Sequence, residues 1–183
     1  MLDSMMMQTI GEYGYKLTSE AVRNSIKEGA NPTIANINNK RFVLVQEPDK
    51  RFKINTSTIK ELTGDKELNC RTLYSTDTVT RLKLTLLMEC NDLPQLDESG
   101  DAMARRIDVS PFDSRFMTYD RYHELTEEEL KTGKYHLANP VYESSEFVDT
   151  HKQALMEILM EHFKIFQNDG YIMKPPTADI NEA

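Results

Sequence analysis

The sequence predicts an α/β fold, a mostly parallel sheet flanked by helices and followed by a helical C-terminal segment. Three observations point there. Phe42-Val43-Leu44-Val45 and Leu84-Thr85-Leu86-Leu87-Met88 are short apolar runs of the kind that form strands buried on both faces. Helix-like segments precede and separate them. Finally, Phe147 to Phe166 places Phe147, Val148, Leu155, Met156, Leu159, Phe163 and Phe166 largely on one helical face, which needs a body to pack on.

From the start, Leu2, Met5, Met6 and Ile10 have helical spacing, and Gly11 and Gly14 close that helix, so a helix with no preceding strand opens the chain. Ser19 is placed to cap a short helix holding Val22 and Ile26, which Gly29-Ala30-Asn31-Pro32 breaks. Asn31 and Pro32 then start a further turn through Ile34 and Ala35. The first apolar strand follows and stops at Pro48. Asn55-Thr56-Ser57-Thr58 begins the next helix, with Thr58 and Glu61 at capping-box spacing and Gly64 as its stop. Leu68 to Tyr74 and Val79 to Leu82 flank the polar Ser75-Thr76-Asp77-Thr78, a hairpin signal that leads into the second apolar strand. After Asn91-Asp92-Leu93-Pro94 and a polar loop, Arg105-Arg106 precede a shorter strand, Ile107-Asp108-Val109, closed by Pro111. Thr126 and Glu129 form another capping box ahead of the long helix. The tail beyond Pro175-Pro176 reads as loose.

Bulk properties bound the function. Hydrophobic residues make up 39% and charged residues 28% of 183, the range of a globular domain rather than a disordered one. No apolar run approaches the roughly 18 residues that span a bilayer, and the Met-rich start lacks a signal peptide's basic flank, so the expectation is an intracellular protein with no membrane partner. A net charge of −8 argues against a general nucleic-acid-coating surface. Charge is segregated, however: Arg41, Lys50, Arg51, Lys53, Lys60, Lys66, Arg71, Arg81 and Lys83 lie early, and much of the acid, including Glu124 and Glu127 to Glu129, lies after residue 119. Cys70 and Cys90, without CxxC spacing, read as buried thiols. His123, His136, His151 and His162 lack paired metal-ligand spacing and read as surface or packing residues. Met5 to Met7, Met156 and Met160 read as core fillers.

Two strands that each end in polar groups carry the chemistry. Gln46-Glu47 follow the first and Asn91 the second, and parallel sheets collect ligands at the carboxyl ends of their strands. Glu47 has the chemistry to polarise a water or hold magnesium there, and Asn91 to orient that water; the plainer reading of both is a capped loop start.

Several stretches together resemble a known family. Lys40 to Pro48 is similar to the Walker B strand of viral and phage primase-helicases. Ile59-Lys60-Glu61-Leu62-Thr63-Gly64-Asp65 with Asn69-Cys70-Arg71 resembles their additional motif between Walker B and sensor 1. Glu89-Cys90-Asn91-Asp92-Leu93-Pro94 resembles the sensor 1 strand end, and Arg105-Arg106-Ile107 with Pro111-Phe112 and Phe116 the arginine-finger segment. The likeness runs in order from Leu2 to about Pro176. It implies a superfamily 3 DNA helicase core, an AAA+-like P-loop ATPase lacking its first strand and phosphate loop, over residues 1–119, with a helical extension over 120–183 packed on it.

The resemblance further implies ATP and Mg2+ as cofactors, with Glu47 as the Walker B acid and metal ligand, Gln46 beside it, Asn91 as sensor 1, and Arg106, or alternatively Arg105, as the finger. Partners implied are identical subunits in a hexameric ring, single-stranded DNA in the ring's channel, contacted by Lys66, Arg71 and Tyr74 around the hairpin, and an upstream primase and P-loop part. The place implied is a viral replication site in the host cell or a phage-infected cytoplasm. Two features depart from the pattern: many relatives carry two acids where Gln46-Glu47 stand, and the paired glycine of the additional motif is Gly64-Asp65. No GxxxxGK[ST] occurs in the 183 residues, so the chain alone is expected neither to bind ATP tightly nor to unwind DNA. Two other readings remain open at this stage, a non-catalytic interaction fragment of a replication complex and another ring ATPase such as a DNA packaging motor.

Overall fold

A computed structural model describes residues 2–27, 29–46, 53–64, 67–72, 79–97, 103 and 106–171. The chain forms two compact units, one of residues 10–107 and one combining residues 1–9 with 108–183.

The first unit is built on three parallel strands in the order β1 (Gly14–Leu17), β3 (Phe42–Gln46) and β8 (Thr85–Glu89). Among the described residues, the same unit holds three smaller pairs. The strands β2 (Gly29–Ala30) and β6 (Cys70–Arg71) run parallel, as do β4 (Lys53–Ile54) and β9 (Gln95–Leu96), whereas β5 (Glu67–Leu68) and β7 (Thr80–Arg81) are antiparallel. Parallel neighbours cannot be joined by tight turns, which is why helices α2 (Glu20–Arg23), α3 (Pro32–Ala35) and α4 (Thr56–Leu62) occupy the connections.

β3 is the strand the sequence announces most clearly: Val43, Leu44 and Val45 are all fully buried. Side chains alternate along a strand, so Val43 and Val45 face one way and Leu44 and Gln46 the other. The Val43 side is the core. Leu17, Val22, Ile34, Ile37, Ile54, Ile59, Leu62, Leu68, Cys70, Leu82 and Met103 cluster there, with Tyr15, Leu86 and Met88 packed against them. Each large apolar side chain so buried contributes about 1.5–3 kcal/mol relative to exposure.

Several local expectations change. Gly14 does not merely end the opening helix; it begins β1, which pairs along β3 from Gly14↔Phe42 to Leu17↔Val45. Ser19 precedes α2 but sits in helical backbone geometry and makes no capping bond, and Ile26 lies beyond the helix. α3 is capped as its sequence says, Asn31 accepting from the Ile34 amide. α4 begins earlier than the Thr58–Glu61 spacing suggests: Asn55 is its cap, accepting from the Thr58 amide at 2.9 Å, and Thr58 is buried and donates its hydroxyl to the Asn24 carbonyl at 2.7 Å. The arms of the expected hairpin pair antiparallel as β5 and β7, with Leu68 opposite Thr80, although β6 pairs with β2; the turn Ser75 to Thr78 lies outside the described residues. β8 is not buried on both faces. It borders β3 only, at one side of the described sheet, and alternates between exposed and half-buried residues, Leu87 being 41% exposed. Ile107 to Val109 form no strand; Arg106 and Ile107 instead close a turn onto the Met103 carbonyl. Cys70 is buried, but Cys90 lies just past β8 and is exposed.

The second unit carries α1 (Leu2–Ile10, all but its last residue), a parallel pair of strands, β10 (Arg115–Met117) and β11 (Tyr135–Leu137), and a helix spanning Ser145–Asn168. Short helices Tyr119–His123 and Glu127–Lys131 fill the β10–β11 connection. The second has the reciprocal capping box its sequence promises: Thr126 accepts from the Glu129 amide, and the Glu129 carboxylate accepts from the Thr126 amide at 2.8 Å. Ser144 caps the long helix by accepting from Phe147 N–H. Thr9 of α1 donates to the Lys152 carbonyl of that helix. Only Val148 of the long helix is buried; Met156, Met160 and Phe163 are exposed, so the two methionines are not core residues here.

Candidate functional site

The carboxyl ends of β3 and β8 lie side by side. Their parallel register matches Val45 with Met88 and Gln46 with Glu89, and Asn91 follows two residues after Glu89. The pairing is extended by side chains. The Gln46 carboxamide donates through Nε2 to Glu89 Oε2 at 3.3 Å, and its Oε1 accepts from Lys16 Nζ on β1 at 3.4 Å. Lys16 is matched with Leu44, two residues before Gln46, so Lys16, Gln46 and Glu89 all stand on the sheet face opposite the core. Gln46 and Asn91 are exposed and Glu89 is half-buried.

The loop after β8 is electrostatically defined. Partial desolvation, and then the negative charge of Asp92, push the Cys90 thiol above its ordinary pKa, so it stays protonated although the residue is exposed. Its environment is the opposite of one that activates a nucleophile. Among the described residues, no group of three or more His, Cys, Asp or Glu side chains is gathered to hold a metal ion. The oxygen-bearing set at the strand ends, an amide and a carboxylate in contact, has the hard-donor chemistry that suits magnesium with most of its waters retained.

The register therefore brings Gln46 and Asn91 to neighbouring strand ends. Arg71 and Arg106 lie on other elements of the same unit. Arg71 ends β6, half-buried, and its carbonyl accepts from the Asn31 amide at 3.0 Å. Arg106 is exposed in the turn held by Met103, whose side chain is buried in the core. Across the β5–β7 pair, Arg81 Nε bonds Glu67 at 3.1 Å, an exposed ion pair of the kind worth under about 1 kcal/mol. Glu47, Lys66, Tyr74 and Arg105, four of the expected site residues, lie outside the described residues.

Two residues at the site escaped the sequence reading. Lys16 sits in a strand that the composition of Gly14-Tyr15-Lys16-Leu17 does not announce, and Glu89 looks like an ordinary polar strand end. The only signal for Glu89 was its position: counting both strands from their apolar cores places it level with Gln46.

No helix among the described residues is long and apolar enough to cross a membrane. No family model matches the chain. Individual proteins do. It is 28% identical over 152 residues to an Acanthamoeba polyphaga mimivirus protein named "Putative helicase L207/L206", a match covering 82% of this chain and 15% of that protein. It is 29% identical over 156 residues to "Putative helicase 121R" of Invertebrate iridescent virus 3, covering 81% and 16%. It is 30% identical over 151 residues to "Primase D5" of Fowlpox virus (strain NVSL), covering 79% and 17%. The chain thus spans about one-sixth of the length of these relatives.

Proposed function

We propose that this chain, a homologue of viral proteins named as helicases and of a poxvirus primase, is part of an ATP-dependent DNA helicase core of the superfamily 3, primase-helicase type, acting in viral DNA replication. The observation that carries the reading is the parallel pairing of β3 and β8, which puts Gln46, the residue preceding Glu47, level with Glu89 and two residues short of Asn91. Adjacent parallel strands ending in an acid and an amide are the arrangement an NTPase uses to grip a metal-bound triphosphate and aim a water at its terminal phosphorus.

Within this reading the phosphates are held by a GxxxxGK[ST] loop that these 183 residues do not contain, on a strand laid along the outer edge of β8. The half-exposed Leu87 and the position of β8, which among the described strands borders β3 alone, support that placement. The chain by itself then hydrolyses no ATP. Bound magnesium would neutralise charge accumulating on the phosphoryl oxygens. Glu47, with Gln46 beside it, would hold that ion, Glu47 would take up the proton of the attacking water, and Asn91 would orient that water. Arg106, with Arg105 as the alternative, reaches the nucleotide of a neighbouring subunit in a hexameric ring and stabilises transition-state charge. Lys66 and Arg71 contact DNA phosphates, and Tyr74 stacks on a base of a single strand in the channel.

Adding an upstream strand and phosphate loop in cis tests the proposal. The expected result is ATPase activity stimulated by single-stranded DNA and lost in Glu47→Gln. A loop-bearing protein that binds ATP but hydrolyses it no faster than Glu47→Gln, with or without DNA, rejects it.

A further inference from the structure

We infer that Lys16 and Glu89 are positioning residues that clamp the Gln46 carboxamide in a single orientation across the three parallel strands, and so act as outer-shell partners of the metal-binding site. The inference rests on the proposed nucleotide site for its purpose, but not for its geometry.

The geometry is chemical as well as spatial. A lysine ammonium only donates hydrogen bonds and an ionised carboxylate only accepts them, whereas a carboxamide has one accepting end and one donating end. Lys16 stands on one side of Gln46 and Glu89 on the other. The Gln46 oxygen must therefore face β1 and its NH2 must face β8. Turning the amide over would set NH2 against ammonium and oxygen against carboxylate, two repulsive contacts in place of two attractive ones. The three strands hold the three groups on one face, Glu89 level with Gln46 and Lys16 level with Leu44, so the orientation is set by the sheet, and the donating end of Gln46 lies on the side of the strand that leads to Asn91.

A neutral side chain in contact with both a cation and an anion links their charges. Removing either charge takes away one of the two contacts that favour this orientation, and a water held by Gln46 has a less firmly fixed partner. Loss of an outer-shell partner of a metal site typically weakens metal binding about tenfold or more.

Glu89→Gln and Lys16→Gln test this, because glutamine both donates and accepts and permits either orientation. The first readout is the side-chain NH2 resonance pair of Gln46 in the chain itself, assigned by its disappearance in Gln46→Met; it needs no nucleotide. The second is the magnesium concentration giving half-maximal ATPase in the loop-bearing protein. The expectation is that Glu89→Gln moves the Gln46 resonances and raises the magnesium requirement about tenfold with kcat at saturating magnesium retained, while Glu89→Asp preserves both. Unmoved resonances overturn the clamp. Moved resonances with an unchanged magnesium requirement overturn its role at the metal. A loop-bearing parent without ATPase activity instead defeats the proposed function on which that role depends, a failure told apart because the resonances still report on the clamp.

Discussion

Replacing Asn55 with alanine isolates the cap of α4. In the structure the Asn55 side-chain oxygen accepts from the Thr58 amide at 2.9 Å, with Asn55 in extended backbone geometry, φ −78° and ψ 109°, which alanine adopts equally well. The change therefore removes one hydrogen bond without straining the chain, and caps of this type are worth about 1 kcal/mol. Thr58 is 0% exposed, so its amide cannot turn to water when the acceptor is gone. An unsatisfied buried donor costs about 1–3 kcal/mol, so the loss is expected near the upper end for caps, about 2 kcal/mol. Ser19→Ala is the control. Ser19 occupies the equivalent place before α2, yet its hydroxyl caps nothing, so its replacement is expected to stay within about 0.5 kcal/mol. Urea unfolding of both variants, followed by circular dichroism, measures the difference. At this chain length about 2 kcal/mol also lowers Tm by roughly 4–8 °C. Equal destabilisation by the two substitutions, or a neutral Asn55→Ala, would refute the assignment of the cap.

The other predictions concern packing, pH and thiol chemistry. Leu62→Ala, at a fully buried position, is expected to cost about 2–5 kcal/mol in denaturant unfolding, against under about 1 kcal/mol for the partly exposed Leu87→Ala. The Glu129 carboxyl is held below its ordinary pKa, first by the Thr126 amide and then by the Thr126 hydroxyl. The capping box is thus fully formed above the usual glutamate pKa and lost as pH falls through the lowered one, so the Thr126 amide resonance should titrate there and cease to do so in Glu129→Gln. Cys90 should react with a maleimide in the native protein more slowly than a free thiol does at neutral pH. Asp92→Asn should speed that reaction, and Cys70 should become reactive only on unfolding.

How much of this was legible in the sequence depended on how local its causes were. Asn31 before Pro32, and Thr126 three residues ahead of Glu129, are caps whose donors and acceptors lie within one turn, and both form as their spacing indicates. Four cap-forming residues in succession, Asn55 to Thr58, leave the starting point of α4 ambiguous. Tertiary packing chose Asn55, because Thr58 is drawn into the interior by its bond to the Asn24 carbonyl. Ile107-Asp108-Val109 has strand-forming residues but no partner strand among the described residues, and a strand exists only through its neighbour's hydrogen bonds.

The sequence by itself determined the α/β class, the central apolar strand, the long terminal helix and the polar strand ends at Gln46 and Asn91, since hydrophobic period and turn chemistry act within a few residues. Five of the six strand pairings among the described residues are parallel, and parallel pairing joins segments distant along the chain. Only the tertiary structure could therefore decide that Gly14–Leu17 is a strand, that β8 is half-exposed, and that Lys16 and Glu89 flank Gln46. Apolar patterning records how much of a segment is buried. Register, which sets what stands beside it, is fixed only when the strands meet.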